Sequence, residues 1–461
     1  MRRSLRRGDR SRGRGPGGRP PSGGAGWGEA SRRVMASGLS VVTARAPGLH
    51  SAMIALYVRV GSRHETAPTN GVSHLLEHML FRGSEGWPDT VAMNAAVEAA
   101  GGNLNGLTAR DHCCFYTPID PGGLGTGLAV LGDLVRRPLL RDLEVEREII
   151  LEEMLDEVDA RGRDIDADNL VKRLAFGGHP LGFKIAGTRR TVRALGEADV
   201  RRHLARYYTG ANLILCVAGP VREAEVLSLA EEHLAGLPRG TPPRDRPPPP
   251  WPAGPRLEHT RHQDAQTELC LAFPCPPEHH PDYPVHLCIR RLLDDGLSSR
   301  LPFEIVERRG LAYSVHAGME TFVDAGLFAV DAACAPAKAP RVAREILEVL
   351  RKLGEEPVPE EELRRVQHRH RLALTFSLDS AGDLAGWYGS GELVRSSEGF
   401  EERCRRVERV TVADVGRVAR ETFAPSRLAA VAVGPEGPRE RRELERAIGL
   451  SRAAGTRASR A

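Results

Sequence analysis

The chain has 461 residues, 41% of them hydrophobic, enough to bury one large core and more readily two. Its formal charge of +4 sits at the ends: residues 1–33 hold ten arginines against Asp9 and Glu29, residues 436–461 hold seven arginines against four glutamates, and the body is left at −7. A net-acidic body argues against a nucleic-acid groove, and no apolar run approaches the eighteen residues of a membrane-spanning helix, so neither a nucleic acid nor a membrane is expected as a partner.

Residues 1–33 are rich in Arg, Gly, Pro and Ser. They lack the apolar run of a secretory signal, their glycines and prolines spoil the amphipathic helix of a transit peptide, and a disordered tail is expected, with Met35 offering a second possible start. The expected setting is cytoplasmic. The eight cysteines read as core thiols and not as a disulfide framework, and Cys113 and Cys114, neighbours on an expected strand, point to opposite faces.

From residue 34 the pattern becomes that of a folded body. Gly38–Thr43 and Ser51–Val60 are β-branched, apolar and bounded by turn formers, as strands are. The stretch Asn70-Gly-Val-Ser-His-Leu-Leu-Glu-His-Met-Leu-Phe-Arg82 follows as a helix. Four-residue spacing puts His74 and His78 on one face, where two imidazoles can share one ion, and Glu77 beside them can take a proton from a bound water. The order is H-x-x-E-H, the inverse of the commoner H-E-x-x-H. An amphipathic helix bearing two surface histidines would show the same residues, so a third ligand is required.

Pro88-Asp-Thr90 starts a helix over Val91–Ala100 that Gly101-Gly102 stops, and strands over Asn103–Thr108 and His112–Pro118 precede a helix over Gly122–Val135. The next helix, Asp142–Asp159, has an apolar period through Leu143, Ile149, Ile150, Met154 and Val158, with Glu146 and Glu153 seven apart on one flank. By itself that flank reads as a solvated acidic face. Glu153 stands 75 residues after His78.

Several segments together resemble the insulinase and mitochondrial-processing-peptidase family of zinc peptidases, in order and at family spacing from about residue 34 to 435. They are Gly61-Ser-Arg-His-Glu65, the H-x-x-E-H helix, Asn103-Leu-Asn105, Glu146–Glu153, Gly178-His-Pro-Leu-Gly182, Gly187-Thr188, Gly296-Leu-Ser-Ser-Arg300 and Gly310-Leu-Ala-Tyr313. The resemblance implies one Zn²⁺ per chain held by His74, His78 and Glu153, Glu77 as general base, Glu146 as a carboxylate orienting a ligand histidine, and Asn105 near the substrate backbone. The resemblance also implies substrate or transition-state binding by an Arg and a Tyr seven residues later. Tyr313 is present, but the earlier position is Val306, which leaves Arg300, Arg308, Arg309 or a partner subunit to substitute.

The second half repeats the first. Ala198-Asp-Val200 and Gly219-Pro220 recur as Ala413-Asp-Val415 and Gly434-Pro435, each 215 positions later, and the same shift lays the Ala55–Val60 strand on Cys270–Cys275. His74, Glu77 and His78 then fall on Ile289, Leu292 and Leu293, so the second copy keeps packing residues where the first has its chemistry. The other histidines, among them His279, His280, His368 and His370, receive no role.

The architecture that the resemblance implies is α+β: two homologous domains, each a mainly antiparallel sheet with helices packed on one side. A metal-binding domain spans 34–238, a Pro-rich linker 239–255, a domain without metal 256–435, and a flexible charged tail 436–461. The resemblance further implies a zinc-dependent endopeptidase acting on peptides or short unfolded polypeptides, working as a homodimer or as a heterodimer with a related subunit. Its alternatives are a catalytic subunit active only beside a non-catalytic partner, and a non-enzymatic assembly subunit.

Overall fold

The computed structural model describes residues 29–394 and 398–450. In the first half the elements are β1 Glu29–Val34, β2 Ser40–Arg45, β3 Ala52–Val58, α1 Val72–Leu80, α2 Thr90–Ala99, β4 Asn105–Thr108, β5 Cys113–Ile119 and α3 Leu124–Arg136. They continue as α4 Leu143–Glu153, α5 Ala167–Phe176, α6 Arg189–Ala194, α7 Glu197–Tyr207, β6 Leu213–Gly219 and α8 Glu223–Leu234. The second half runs β7 Arg256–Arg261, β8 Thr267–Cys275, α9 Tyr283–Leu293, β9 Ser314–Thr321, β10 Gly326–Cys334, α10 Ala339–Glu355 and α11 Glu360–Ser377. It ends with α12 Ala381–Leu393, α13 Phe400–Glu408, α14 Val412–Thr422, β11 Ala429–Gly434 and α15 Pro438–Ala447.

Two sheets result, ordered β1-β2-β6-β3-β5-β4 and β7-β11-β8-β10-β9. Apart from β1 their strand orders and pairing senses match, each with one parallel pair, β2 with β6 and β7 with β11, and antiparallel pairing elsewhere. The expected duplication and α+β class therefore hold. Ile289, Leu292 and Leu293 lie in α9, fully buried in the second core.

Strand alternation sorts the side chains into two cores per sheet. Ile54, Leu56 and Val58 of β3 meet Leu75, Leu76 and Met79 of α1, while Ala55 and Tyr57 face the opposite way. Helices crowd the first of these faces, as expected. The other face is covered by a helix from the other half: α12 lays Leu384, Ala385 and Tyr388 on Tyr57, Ile214 and Cys216, with the Tyr57 hydroxyl donating to the Ala385 carbonyl at 3.2 Å. In return α5 lays Leu170, Val171 and Phe176 on Cys270, Ala272 and Val431 of the second sheet. At about 1.5–3 kcal/mol for each large side chain fully buried, this exchange fastens the halves to each other.

The linker is pinned as well as extended. Arg63, nearly fully buried, donates to Asp324 at 2.6 Å and to the Arg246 carbonyl at 3.0 Å, and Trp251 Nε1 donates to the Arg427 carbonyl at 2.6 Å. Cys113 and Cys114 point into different cores, and all eight cysteines are free and buried. No helix among the described residues is long and apolar enough to cross a membrane.

Two edges of the expected layout change. Residues 1–28 lie outside the described residues, but Glu29–Val34 forms β1 because its backbone pairs with β2 and Arg32 donates to Glu392 at 2.7 Å. The charged C-terminal segment likewise contributes α15, which buries Leu444 against the second core, Ile448 following it there; residues 451–461 are not described. The acidic helix expected over Asp142–Asp159 stops at Glu153, where the chain tightens into a 3₁₀ turn over Met154–Glu157.

Candidate metal centre

Helix α1 has nine residues and begins at Gly71, whose φ of 99° suits glycine and supplies no capping side chain. The cap comes from Glu65. Its carboxylate accepts the backbone N–H of Gly71 and of Ser73, each at 2.8 Å, and Asn70 Nδ2 at 2.9 Å, so negative charge sits on the positive helix end. Burial pushes the Glu65 carboxyl above its ordinary range, and these hydrogen bonds oppose that shift.

The face so positioned carries the two imidazoles. The ring centroids of His74 and His78 are 4.6 Å apart. Helix α4 packs beside α1 and its last residue brings Glu153 Oε2 to 3.9 Å from His74 Nε2 and 3.7 Å from His78 Nε2. One ligand atom from each of the three lies within 4.8 Å of the others, the single such group among the described residues. Tetrahedral zinc with bonds near 2.0–2.1 Å needs ligand atoms roughly 3.4 Å apart; Glu153 Oε2 lies a few tenths of an ångström farther than that from each imidazole nitrogen, and its half-exposed side chain can close that gap.

The proton pattern agrees. Two turns before Glu153, the buried Glu146 accepts from His78 Nδ1 at 2.8 Å, which leaves the Nε2 lone pair facing Glu153. Arg82 donates to the other Glu146 oxygen. His74 Nδ1 is buried with no partner among the described residues. Burial, with the neighbouring His78 charge, holds His74 down to about 4, so the ring stays neutral and able to ligate near pH 7. The donor set therefore fits a divalent cation with one position left open.

Glu77 projects from the same helix toward β4, the free edge of the first sheet. The Thr108 hydroxyl donates to its Oε2. Its Oε1 lies against Gly106, where a Cβ would come within 2.7 Å of that oxygen and of the Phe81 ring. Burial raises the Glu77 carboxyl, the Thr108 hydrogen bond opposing it, the setting of a group that must both accept and return a proton.

Of the residues singled out from sequence, the structure thus brings together His74, Glu77, His78, Glu146 and Glu153, with Asn105 at the start of the adjacent edge strand and its side chain donating to the Asn103 carbonyl at 2.8 Å. Tyr313 belongs to the other half. It is 82% exposed beside β9. The far end of β9 meets the first half, Glu320 lying 3.9 Å from Arg110, which places Tyr313 roughly 23 Å along the strand from that contact. Val306 packs against the second core. Arg300 pairs with Glu362, Arg308 with Glu304, and Arg309 with Glu304 and Glu345. Glu65, Arg82, Gly106 and Thr108 are the residues that sequence reasoning left without a role; the signal for Glu65 was its place just ahead of a helix that lacks a capping side chain.

Comparison with known proteins places these features in context. The family model described as Insulinase (Peptidase family M16) matches residues 40–189, and that described as Peptidase M16 inactive domain matches residues 194–369. An uncharacterized zinc protease of Mycobacterium tuberculosis is 33% identical over 88% of this chain and 93% of its own length. A probable mitochondrial-processing peptidase subunit beta of Schizosaccharomyces pombe is 27% identical over 91% of this chain and 94% of its own. The crystal structure of a protease from Helicobacter pylori matches 89% of this chain and 100% of that one with a TM-score of 0.80 at 22% identity.

Proposed function

Since the chain belongs to the insulinase family of peptidases, family M16, we propose that it is a zinc-dependent endopeptidase with one metal site per chain. The observation that carries this reading is the convergence of His74 Nε2, His78 Nε2 and Glu153 Oε2, with the Glu77 carboxylate alongside on the same helix.

His74, His78 and Glu153 would hold the zinc, which would polarise a peptide carbonyl and lower the pKa of a water to about 7. Glu77 does the proton work. Held by Thr108, its carboxylate takes the water proton and returns it to the leaving amine. Asn105 and the outward backbone groups of β4 receive the substrate as an added strand, which favours extended peptides over folded proteins.

Glu77→Gln is expected to keep its zinc and lose hydrolysis. The test is zinc stoichiometry measured beside chelator-sensitive cleavage of a mixed peptide library; parental rates in this variant would exclude Glu77 as the base. Pairing of Arg300, Arg308 and Arg309 within the chain favours a working dimer, homodimeric or with a related subunit, in which the partner supplies the guanidinium that Val306 does not.

A further inference from the structure

We propose that Arg82 is a positioning residue of the metal site, clamping the Glu146 carboxylate so that His78 Nε2 stays aimed at Glu153. The inference rests on the metal site above and not on peptide hydrolysis.

A carboxylate that holds an imidazole by one oxygen can still turn about its last bond. A second, charged donor on the other oxygen removes that freedom and strengthens the first contact. Arg82 is placed to be that donor. It lies two residues past α1, its N–H donating to the Met79 carbonyl at 3.3 Å and its own carbonyl accepting Arg141 Nε at 3.2 Å, so its backbone is tied at both ends. Its Nε then meets Glu146 Oε1 while Glu146 Oε2 receives His78 Nδ1. The Glu146 side chain is only 7% exposed, so water can scarcely replace the guanidinium.

The alternative use of Arg82 is a plain surface ion pair, which contributes little to anything. Burial of the carboxylate argues against it, and so does the duplicated half. Shifted by 215 positions, Arg82 falls on Leu297, so the copy with apolar residues at the imidazole positions has no guanidinium either.

The test is the zinc affinity of the full chain, read by chelator competition with no substrate present. Arg82→Met is expected to weaken zinc binding about tenfold or more, and Glu146→Gln by a similar factor. Because Arg82 acts through Glu146, adding Arg82→Met to Glu146→Gln should cost less than a further twofold. Arg82→Lys, which keeps the charge without the fixed planar donor, is expected to lose at least threefold and stands in if the methionine variant fails to fold. Affinity within twofold of the parent in the single variant overturns the inference, as does an equal loss in the Glu146→Gln background. A chain that binds zinc in this pattern but cleaves nothing would support the inference while refuting the peptidase reading.

Discussion

Thr108→Val isolates the hydrogen bond that the Thr108 hydroxyl donates to Glu77, the proposed general base. The substitution keeps the branched shape of a buried side chain and removes the hydroxyl that donates to Glu77 Oε2. The nearby Cys113 Sγ, 3.5 Å from Thr108 Oγ1, does not take its place, because its proton goes to the Val60 carbonyl at 3.1 Å. A hydrogen bond to a charged acceptor contributes about 1.5–3 kcal/mol, and Glu77, which is only half-buried, recovers part of that by turning toward water. A net loss of roughly 1.5–2 kcal/mol predicts a fall in kcat of about 10–30-fold. KM and zinc content should hold, since Thr108 touches the base and none of the three metal-site residues. Thr108→Ser restores the donor and should return kcat to within about threefold of the parent. Steady-state cleavage of a fluorogenic peptide by metal-loaded protein reads both constants. A valine variant within twofold of the parental kcat, or a serine variant as impaired as the valine, would refute the reasoning.

Two further outcomes follow from burial. His203 bonds Ser73 Oγ at 3.1 Å, and burial, together with the His64 and Arg206 charges, lowers it to about 3. The unfolded chain takes up that proton near pH 6.5 and the folded one does not, so stability falls with pH through the window from about 6.5 down to about 3, by roughly 1.4 kcal/mol per unit. Denaturant melts at pH 7.5 and 5.5 should show His203→Gln losing less stability than the parent, and equal losses would remove His203 from the account. The exchange of α5 and α12 predicts that cutting a protease site inserted between the exposed Pro249 and Pro250 leaves the halves associated. Gel filtration of the nicked protein would then give one peak at the intact size, and two separate fragments would contradict the exchange.

Part of the proposed metal site was legible because its information is local. A four-residue histidine spacing fixes one face of a helix whatever the rest of the chain does, whereas Glu146 and Glu153 read by themselves as a solvated acidic flank and took their roles from the family resemblance. The strands were legible for the same local reason, as runs of β-branched residues between turn formers. What escaped the sequence depends on partners far along the chain. Thr108 reaches a glutamate 31 residues earlier, and Arg82 a glutamate 64 residues later. The Arg-rich stretch at β1 has a tail's composition and becomes a strand through pairing with β2 and with Glu392, 360 residues from Arg32. Helix α15 did leave a local trace, Leu444 and Ile448 four apart on an otherwise charged surface, which the net charge obscured.

The duplication makes the same distinction between packing and chemistry. Both halves build a helix on the corresponding strand, and both bury it, since each sheet needs its apolar face covered. Only α1 adds to that packing a polar face with a shell around it: Glu65 at its start, Thr108 on Glu77, and Glu146 with Arg82 on His78. At the corresponding positions α9 carries Ile289, Leu292 and Leu293, all buried, so a histidine placed there would enter the second core and not a cleft. Restoring His, Glu and His at those three positions should therefore destabilise the second half, by several kcal/mol for the buried polar groups, without creating a second zinc site. A zinc stoichiometry of two per chain in that triple variant would show that the helix alone, and not the residues gathered around it, is what makes a metal site in this fold.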